Sequence, residues 1–182
     1  PPRSTLFPYT TLFRSVGLLS EYADVLQVGT RNMQNYTLLK ELGKCDKPVL
    51  LKRGMWATMA EFLGAAEYIM NGGNENVILC ERGIRTFSDY SRNTLDLSII
   101  PAIKDESHLP IVSDPSHGTG RRSLVLPMSK ASIACGADGL LIETHPDPDR
   151  AISDADQTIS LSAFSKLMED VRQIAKVVGR EL

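Results

Sequence analysis

Five short, continuously apolar segments alternate with amphipathic segments of helical length, and this alternation restricts the fold more than any other feature. The apolar segments are residues 25–29, 48–54, 76–83, 111–113 and 139–143. Strands that are apolar along their whole length are typical of a parallel sheet covered by helices. The pattern therefore predicts an α/β fold, either a doubly wound sheet or part of a (β/α)8 barrel.

Helix signals occupy the intervals between these strands. The predicted helices span residues 32–42, 58–70, 95–104, 123–135 and 162–178. Thr58 followed three residues later by Glu61 predicts a capping box at the start of the second helix. Gly136 and Gly179 are the predicted stops of the last two helices.

Each of the five predicted strands ends in polar groups or is followed at once by them, and their distribution favours the barrel. A barrel collects the carboxyl ends of all its strands around one mouth, whereas an open sheet favours one switch point. The segments concerned are Gly29-Thr30-Arg31, Lys52-Arg53-Gly54, Glu81-Arg82-Gly83, Asp114-Pro115-Ser116-His117 and Glu143-Thr144-His145. Since five βα units cannot close an eight-stranded barrel, we predict the last five units of a TIM barrel.

Composition places residues 16–182 in one ordinary globular domain. The chain has 182 residues, of which 42% are hydrophobic. A formal charge of -2 provides no general field for nucleic acid, and no apolar run approaches the roughly 20 residues that span a bilayer. Three scattered cysteines without CxxC spacing predict neither disulfides nor a zinc knuckle, which suits the cytoplasm.

Residues 1–15 differ from the rest of the sequence. They contain two near repeats, Ser4-Thr5-Leu6-Phe7 and Thr10-Thr11-Leu12-Phe13, without a helical or strand period. We therefore predict that this segment is not native to the protein and leave it out of the fold prediction.

Three cationic side chains come at consecutive strand ends: Arg31, Lys52 and Arg82. Gathered at one mouth, they would form an anion pocket together with the backbone amides of Gly29 and Thr30. Arginine binds phosphate oxygens bidentately and lysine adds a point charge, so the pocket would suit a small phosphorylated acid. The alternative for each cation taken singly is a solvated charge at the rim.

A second set of residues combines one imidazole with two carboxylates: His117, Glu143 and Asp154. Mixed nitrogen and oxygen donors suit a divalent metal such as Mn, Fe, Co or Zn acting as a Lewis acid. The alternatives are a hydrogen bond within a loop for His117, an ion pair for Glu143 and a helix cap for Asp154. His145 and His108 compete for the histidine role, and His108 is predicted to lie on the surface.

Several motifs together resemble one enzyme family, the short type I-beta 3-deoxy-D-arabino-heptulosonate 7-phosphate (DAHP) synthases. The resemblance runs from about Leu18 to the carboxyl terminus. The motifs are Gln27-Val28-Gly29-Thr30-Arg31-Asn32, Leu50-Leu51-Lys52-Arg53-Gly54, Cys80-Glu81-Arg82-Gly83, Asp114-Pro115-Ser116-His117, and Ile142-Glu143-Thr144-His145-Pro146 followed by Ser153-Asp154.

The resemblance implies condensation of phosphoenolpyruvate with erythrose 4-phosphate, the first step of the shikimate pathway to aromatic amino acids. Arg31 and Arg82 would hold the phosphate of phosphoenolpyruvate beside Gly29 and the amide of Thr30. Lys52 would lie near the carboxylate of phosphoenolpyruvate and would transfer a proton in the reaction. Lys52 and His117 are the predicted catalytic residues.

The resemblance also implies a divalent metal and a homo-oligomer, either a dimer or a tetramer. His117, Glu143 and Asp154 match three metal ligands of the family. Its fourth ligand is a cysteine in a Gly-Pro-Cys-Ser motif, and a Lys-Pro-Arg-Thr motif grips both substrates, but neither motif occurs in this sequence.

Two alternatives to DAHP synthase therefore stay open. One is 3-deoxy-D-manno-octulosonate 8-phosphate synthase, which uses arabinose 5-phosphate. The other is an inactive half barrel that binds a phosphorylated ligand.

Overall fold

A computed structural model describes residues 9–10 and 15–180 of the chain. The chain forms two compact units that divide between Cys80 and Glu81. Each unit is built from parallel strands joined through helices, as the strand and helix alternation predicts.

The first unit contains the strands β1 to β4 and the helices α1 to α3. The strands are β1 (Tyr9–Thr10), β2 (Leu26–Val28), β3 (Val49–Lys52) and β4 (Val77–Glu81), the last residue of which belongs to the second unit. The helices are α1 (Val16–Tyr22), α2 (Tyr36–Leu42) and α3 (Met59–Met70). The strands pair in parallel in chain order, with Val28 opposite Leu51 and Leu51 opposite Leu79.

Local sequence accounts for the start of α3 and only partly for the start of α2. Thr58 accepts a hydrogen bond from the backbone of Glu61, whose carboxylate accepts one from the backbone of Thr58, so the predicted capping box is confirmed. The prediction that α2 begins at residue 32 is wrong. Residues 30–32 form a 3-10 turn, and α2 begins after Asn35, whose side chain caps the amide of Leu38.

Two short elements near the amino terminus lie outside the predicted pattern. Strand β1 falls within residues 1–15, where no strand was predicted, because it depends on backbone pairing with β2 and not on an apolar run. Helix α1 was not predicted either. The foreign origin predicted for residues 1–15 stays a prediction.

The second unit contains the strands β5 (Ile111–Ser113) and β6 (Gly139–Leu140), paired in parallel. Asp114, just after β5, donates its backbone N–H to the carbonyl of Glu81. The helices are α4 (Ile99–Glu106), α5 (Pro115–Thr119), α6 (Arg122–Ala134) and α7 (Leu161–Val177). A buried apolar cluster packs α6 against α7; it comprises Val125, Ile133, Ile159, Leu167, Val171 and Ala175.

The stops predicted for the last two helices are confirmed. Gly136 (φ 97°) and Gly179 (φ 74°) both take positive φ directly after α6 and α7, a conformation that glycine adopts at little cost. Other boundaries differ from the sequence prediction: α4 begins at Ile99 instead of residue 95, and β6 ends at Leu140 instead of residue 143.

Within residues 9–10 and 15–180, no helix combines the length and apolar character needed to span a bilayer.

Candidate metal centre

His117 lies on α5, a short helix where the sequence predicted a loop. Pro115 lies two residues after the end of β5 and occupies the first turn of this helix, where its missing N–H costs nothing. The buried Asp114 caps this helix, since its Oδ1 accepts from the backbone N–H of His117 at 2.9 Å. Gly120 ends the helix at φ 63°. The imidazole is thus held on a capped turn directly after a buried strand.

Both ring nitrogens of His117 face carboxylates. Nδ1 lies 2.8 Å from Oδ2 of the buried Asp114, although the two are not aligned for a hydrogen bond. Nε2 lies 3.2 Å from Oε1 of Glu143. A carboxylate behind a histidine is the usual partner that orients a metal-binding imidazole. The geometry leaves Nε2 as the candidate ligand atom of His117.

Glu143 reaches the same place through backbone contacts. Its N–H donates to the hydroxyl of the buried Ser116 at 3.1 Å, and its carbonyl accepts from Ile159 at 3.0 Å. Burial raises the pKa of the Glu143 carboxyl above its ordinary value. The charge of His117 and a hydrogen bond from Gln157 oppose that rise, and the charge of Asp154 adds to it.

Asp154 is the one non-glycine residue with positive φ in the part of the chain that the structure describes, at φ 54°. Aspartate tolerates this left-handed region better than most residues, yet it still carries strain there. The strained turn is held by Thr158, whose hydroxyl donates to the carbonyl of Asp154 at 2.9 Å. Arg92 Nη1 donates to Asp154 Oδ1 at 3.2 Å.

These three side chains form one cluster. One ligand atom from each of His117, Glu143 and Asp154 lies within 4.8 Å of the others, and all three residues belong to the second unit. One nitrogen and two carboxylate oxygens form a donor set that fits a divalent first-row metal. Three protein ligands leave coordination positions for water or substrate, as in catalytic metal sites.

The structure separates His117 from the other two histidines. His145 turns back on its own loop, where its Nδ1 accepts from the backbone N–H of Asp147 at 3.0 Å. His108 is exposed in the connection between α4 and β5, which confirms its predicted surface position. Neither residue belongs to the cluster.

Sequence reasoning overlooked two residues that contact the cluster. Gln157 is buried and donates to Glu143, and Arg92 contacts both Asp154 and Gln157. The only sequence sign of Gln157 is its position three residues after Asp154. Arg92 lies in a polar loop 62 positions before Asp154, so no local pattern indicates its role.

The predicted anion-binding residues are divided between the units. Gly29 is buried, and Thr30 and Arg31 begin the 3-10 turn after β2. The buried Lys52 ends β3. Because Val28 is opposite Leu51, these groups lie at the same edge of the first unit. Arg82, also buried, follows β4 in the second unit. That Arg82 joins the other two cations stays a prediction.

Each unit also has a cavity that is lined in part by arginine side chains. In the first unit, a cavity of about 430 Å³ is lined by Arg31 together with Thr30 and Trp56. In the second unit, a cavity of about 1090 Å³ is lined by Arg92, Arg121 and Arg122. None of the three candidate metal ligands lines the second cavity, but Arg92 and Ile159, which do, contact Asp154 and Glu143 respectively.

Comparison with known proteins agrees with the motifs. Residues 13–178 match the DAHP synthetase I family. The chain belongs to this family. It is 53% identical over 161 residues to a phospho-2-dehydro-3-deoxyheptonate aldolase of Thermotoga maritima, which covers 88% of the chain but 48% of that relative. The chain thus spans about half the length of this curated family member.

Solved structures confirm the fold class. A truncated form of 3-deoxy-D-arabino-heptulosonate 7-phosphate synthase from Thermotoga maritima superposes with a TM-score of 0.94 at 48% identity, covering 96% of this chain and 67% of that one. The parallel α/β fold of the TIM-barrel synthases, predicted from the strand ends, is therefore confirmed. The octulosonate alternative is more distant: a 2-dehydro-3-deoxyphosphooctonate aldolase of Desulfotalea psychrophila is 29% identical over 90% of the chain and 61% of that relative.

Proposed function

We propose that this chain is the carboxyl-terminal part of the catalytic barrel of a DAHP synthase. The enzyme would condense phosphoenolpyruvate with erythrose 4-phosphate in the shikimate pathway. The observation that carries the proposal is the cluster of His117, Glu143 and Asp154 in a chain that belongs to the DAHP synthetase I family.

The reaction joins two carbon chains and releases inorganic phosphate. C3 of phosphoenolpyruvate forms a bond to the aldehyde carbon of erythrose 4-phosphate, and the aldehyde oxygen takes a proton. The oxygen of water adds to C2, and phosphate leaves as the bond from C2 to its bridging oxygen breaks. The product is a 2-keto acid, DAHP.

One set of residues would bind the anionic groups of phosphoenolpyruvate, and a second set would hold the metal that activates the aldehyde. Arg31 and Arg82 would bind the phosphate of phosphoenolpyruvate, with the amide of Thr30 as a further donor. Lys52, buried at the end of β3, would bind near the carboxylate and carry a proton. A divalent metal held by the cluster would polarise the aldehyde oxygen.

Asp114 supports this arrangement because its carboxylate is buried behind His117. It would keep the imidazole oriented with Nε2 toward the two other ligands. Manganese, iron, cobalt and zinc all suit the donor set. The cytoplasmic location and the homo-oligomeric state belong to this proposal as predictions.

The test is a condensation assay with the complete barrel that includes this chain, phosphoenolpyruvate and Mn²⁺ or Co²⁺, in which both phosphate release and the 2-keto acid product are measured. We expect product with erythrose 4-phosphate and much less with arabinose 5-phosphate. The reverse preference would favour the octulosonate synthase. Binding of phosphoenolpyruvate without turnover would favour the inactive half barrel and contradict the proposal.

A further inference from the structure

We propose that Gln157 is a positioning residue that fixes the orientation of both carboxylates in the metal centre. The role rests on the proposed metal-dependent function, because it acts on Glu143 and Asp154. Gln157 would contact neither metal nor substrate and would act through these two ligands.

The contacts of Gln157 link the two carboxylates by a route that does not include His117. Its Nε2 donates to Oε2 of Glu143 at 3.0 Å. Its Oε1 accepts from Nη1 of Arg92 at 3.4 Å, and the same Nη1 donates to Oδ1 of Asp154 at 3.2 Å. Three hydrogen bonds in series therefore join one ligand carboxylate to the other.

This link leaves one oxygen of Glu143 directed into the cluster. Oε2 of Glu143 is occupied by Gln157, while Oε1 lies 3.2 Å from Nε2 of His117. A carboxylate held at one oxygen has lost its freedom to rotate about its last side-chain bond. The remaining oxygen then stays where it faces the imidazole, and less entropy is lost when it binds a ligand.

The chemistry of the two partners explains why a carboxamide suits this position. An ionised carboxylate only accepts hydrogen bonds and a guanidinium only donates them. A side chain placed between them must donate on one side and accept on the other, which a glutamine amide does without adding charge. The partners also fix which end of the amide is nitrogen.

The backbone holds Gln157 in place for this role. The residue is only 2% exposed, so its side chain has little room to adopt another rotamer. Its backbone N–H donates to the carbonyl of Asp154 at 3.1 Å, in the same turn that places Asp154 at positive φ. The strained turn thus carries both the candidate ligand Asp154 and Gln157, which orients the other carboxylate ligand, Glu143.

The test replaces Gln157 by methionine, which is also unbranched and of similar length but makes neither hydrogen bond. Co²⁺ affinity would be measured by competition with a chelator, and the coordination geometry by the visible absorption spectrum of bound Co²⁺. We expect Q157M to bind Co²⁺ about 10- to 100-fold more weakly, as for other residues that orient metal ligands, and with a changed spectrum. The matched control is Q173M, at an exposed position on α7, which should change neither.

A purely structural role for Gln157 gives a different result. Q157M would then lower the melting temperature but leave both the Co²⁺ affinity and the spectrum of the folded chain unchanged, and this outcome would overturn the proposal. Should Q157M not fold, R92M interrupts the same link at a half-exposed side chain, which is 46% exposed. Unchanged Co²⁺ affinity in R92M would overturn the proposal equally.

The double variant R92M/Q157M tests the series arrangement. If the two residues act through one link, the double variant loses little more affinity than the weaker-binding single variant, whereas independent effects would add. Failure of the unsubstituted chain to bind Co²⁺ would overturn the metal centre and the role of Gln157 together. Co²⁺ binding that depends on Gln157 in a chain without condensation activity would support this role and overturn only the proposed reaction.

Discussion

In the second unit, a carboxylate lies at each end of the strand pair β5 and β6, and the two carboxylates differ in the charges around them. At the amino end, Asp138 accepts from Lys104 at 2.7 Å, from Arg180, and from the backbone N–H of Ile111 at 2.8 Å. At the carboxyl end, the carboxylate of Glu143 faces two further acidic side chains, Asp154 and Asp114. Asp138 is therefore surrounded by hydrogen-bond donors and positive charge. Glu143 has two acidic neighbours and His117 as its charged partner.

The pKa values of the two groups move in opposite directions for this reason. Burial by itself would raise the pKa of Asp138, but hydrogen bonds from Lys104, Arg180 and Ile111 outweigh it and the pKa is lowered. Burial raises the pKa of Glu143, and the hydrogen bond from Gln157 and the charge of His117 do not compensate fully. A carboxylate with its partners in place stabilises the fold. A carboxylate such as that of Glu143, whose negative charge is not fully compensated by its neighbours, can still bind a cation.

The largest expected effect tests the carboxyl end directly. His117→Ala removes one of three candidate ligands, so we expect Co²⁺ affinity to fall by more than about 100-fold, a loss beyond that caused by changing a residue behind a ligand. Equilibrium dialysis measures this effect. The control His145→Ala removes an imidazole outside the cluster and should bind Co²⁺ normally. Equal losses in the two variants would contradict the assignment of His117.

A pair of glycine substitutions tests the connection between α5 and Arg92. Gly120 and Gly179 both have positive φ, and alanine in that conformation costs about 1 kcal/mol of unfolding free energy. At Gly120 the new Cβ would also lie 2.6 Å from Cβ of Arg92, whereas at Gly179 it meets nothing within 4 Å.

We therefore expect G120A to lose about 2–3 kcal/mol and G179A about 1 kcal/mol in urea unfolding. G120A should also weaken Co²⁺ binding, since the new Cβ would displace Arg92, which contacts Asp154. If the two variants lose the same stability and retain the same Co²⁺ affinity, the contact with Arg92 does not constrain the centre.

The smallest expected effect concerns the amino end. Asp138→Asn replaces charge-assisted hydrogen bonds with neutral ones, and we expect a loss of about 1–2 kcal/mol of unfolding free energy near neutral pH. Co²⁺ affinity should stay unchanged, since none of the partners of Asp138 belongs to the cluster. A clear loss of Co²⁺ affinity in D138N would contradict the separation of a stabilising carboxylate at the amino end from the candidate metal centre at the carboxyl end.

The pH dependence of stability supplies a second measurement on the same variant. Because the pKa of Asp138 is lower in the folded chain than its ordinary value of 3.8, its ionised form stabilises the fold above that pH. This contribution is lost as the pH falls below 3.8 through the lowered pKa. The difference in stability between the original chain and D138N should therefore shrink in that acidic range.

Much of the fold follows from local patterns. The continuously apolar strands, the capping box at Thr58 and the glycines after α6 and α7 were all predicted, because each depends on residues close together in sequence. The helix containing His117 was not predicted. Its signals, Asp114 as cap and Pro115 in the first turn, are also local, but the helix has only five residues and shows no apolar periodicity.

The sequence by itself determined the parallel α/β class and the residue types of the candidate metal centre, since these follow from apolar periodicity and from which residues come after each strand. The set of His117, Glu143 and Asp154 was predicted through the family resemblance, and the tertiary structure brings these three side chains together. The tertiary structure alone decided that Gln157 and Arg92 join the two carboxylates. Arg92 and Asp154 are separated by 62 positions in the chain. No local pattern specifies such a contact, because it exists only once the loops that carry the two residues are packed.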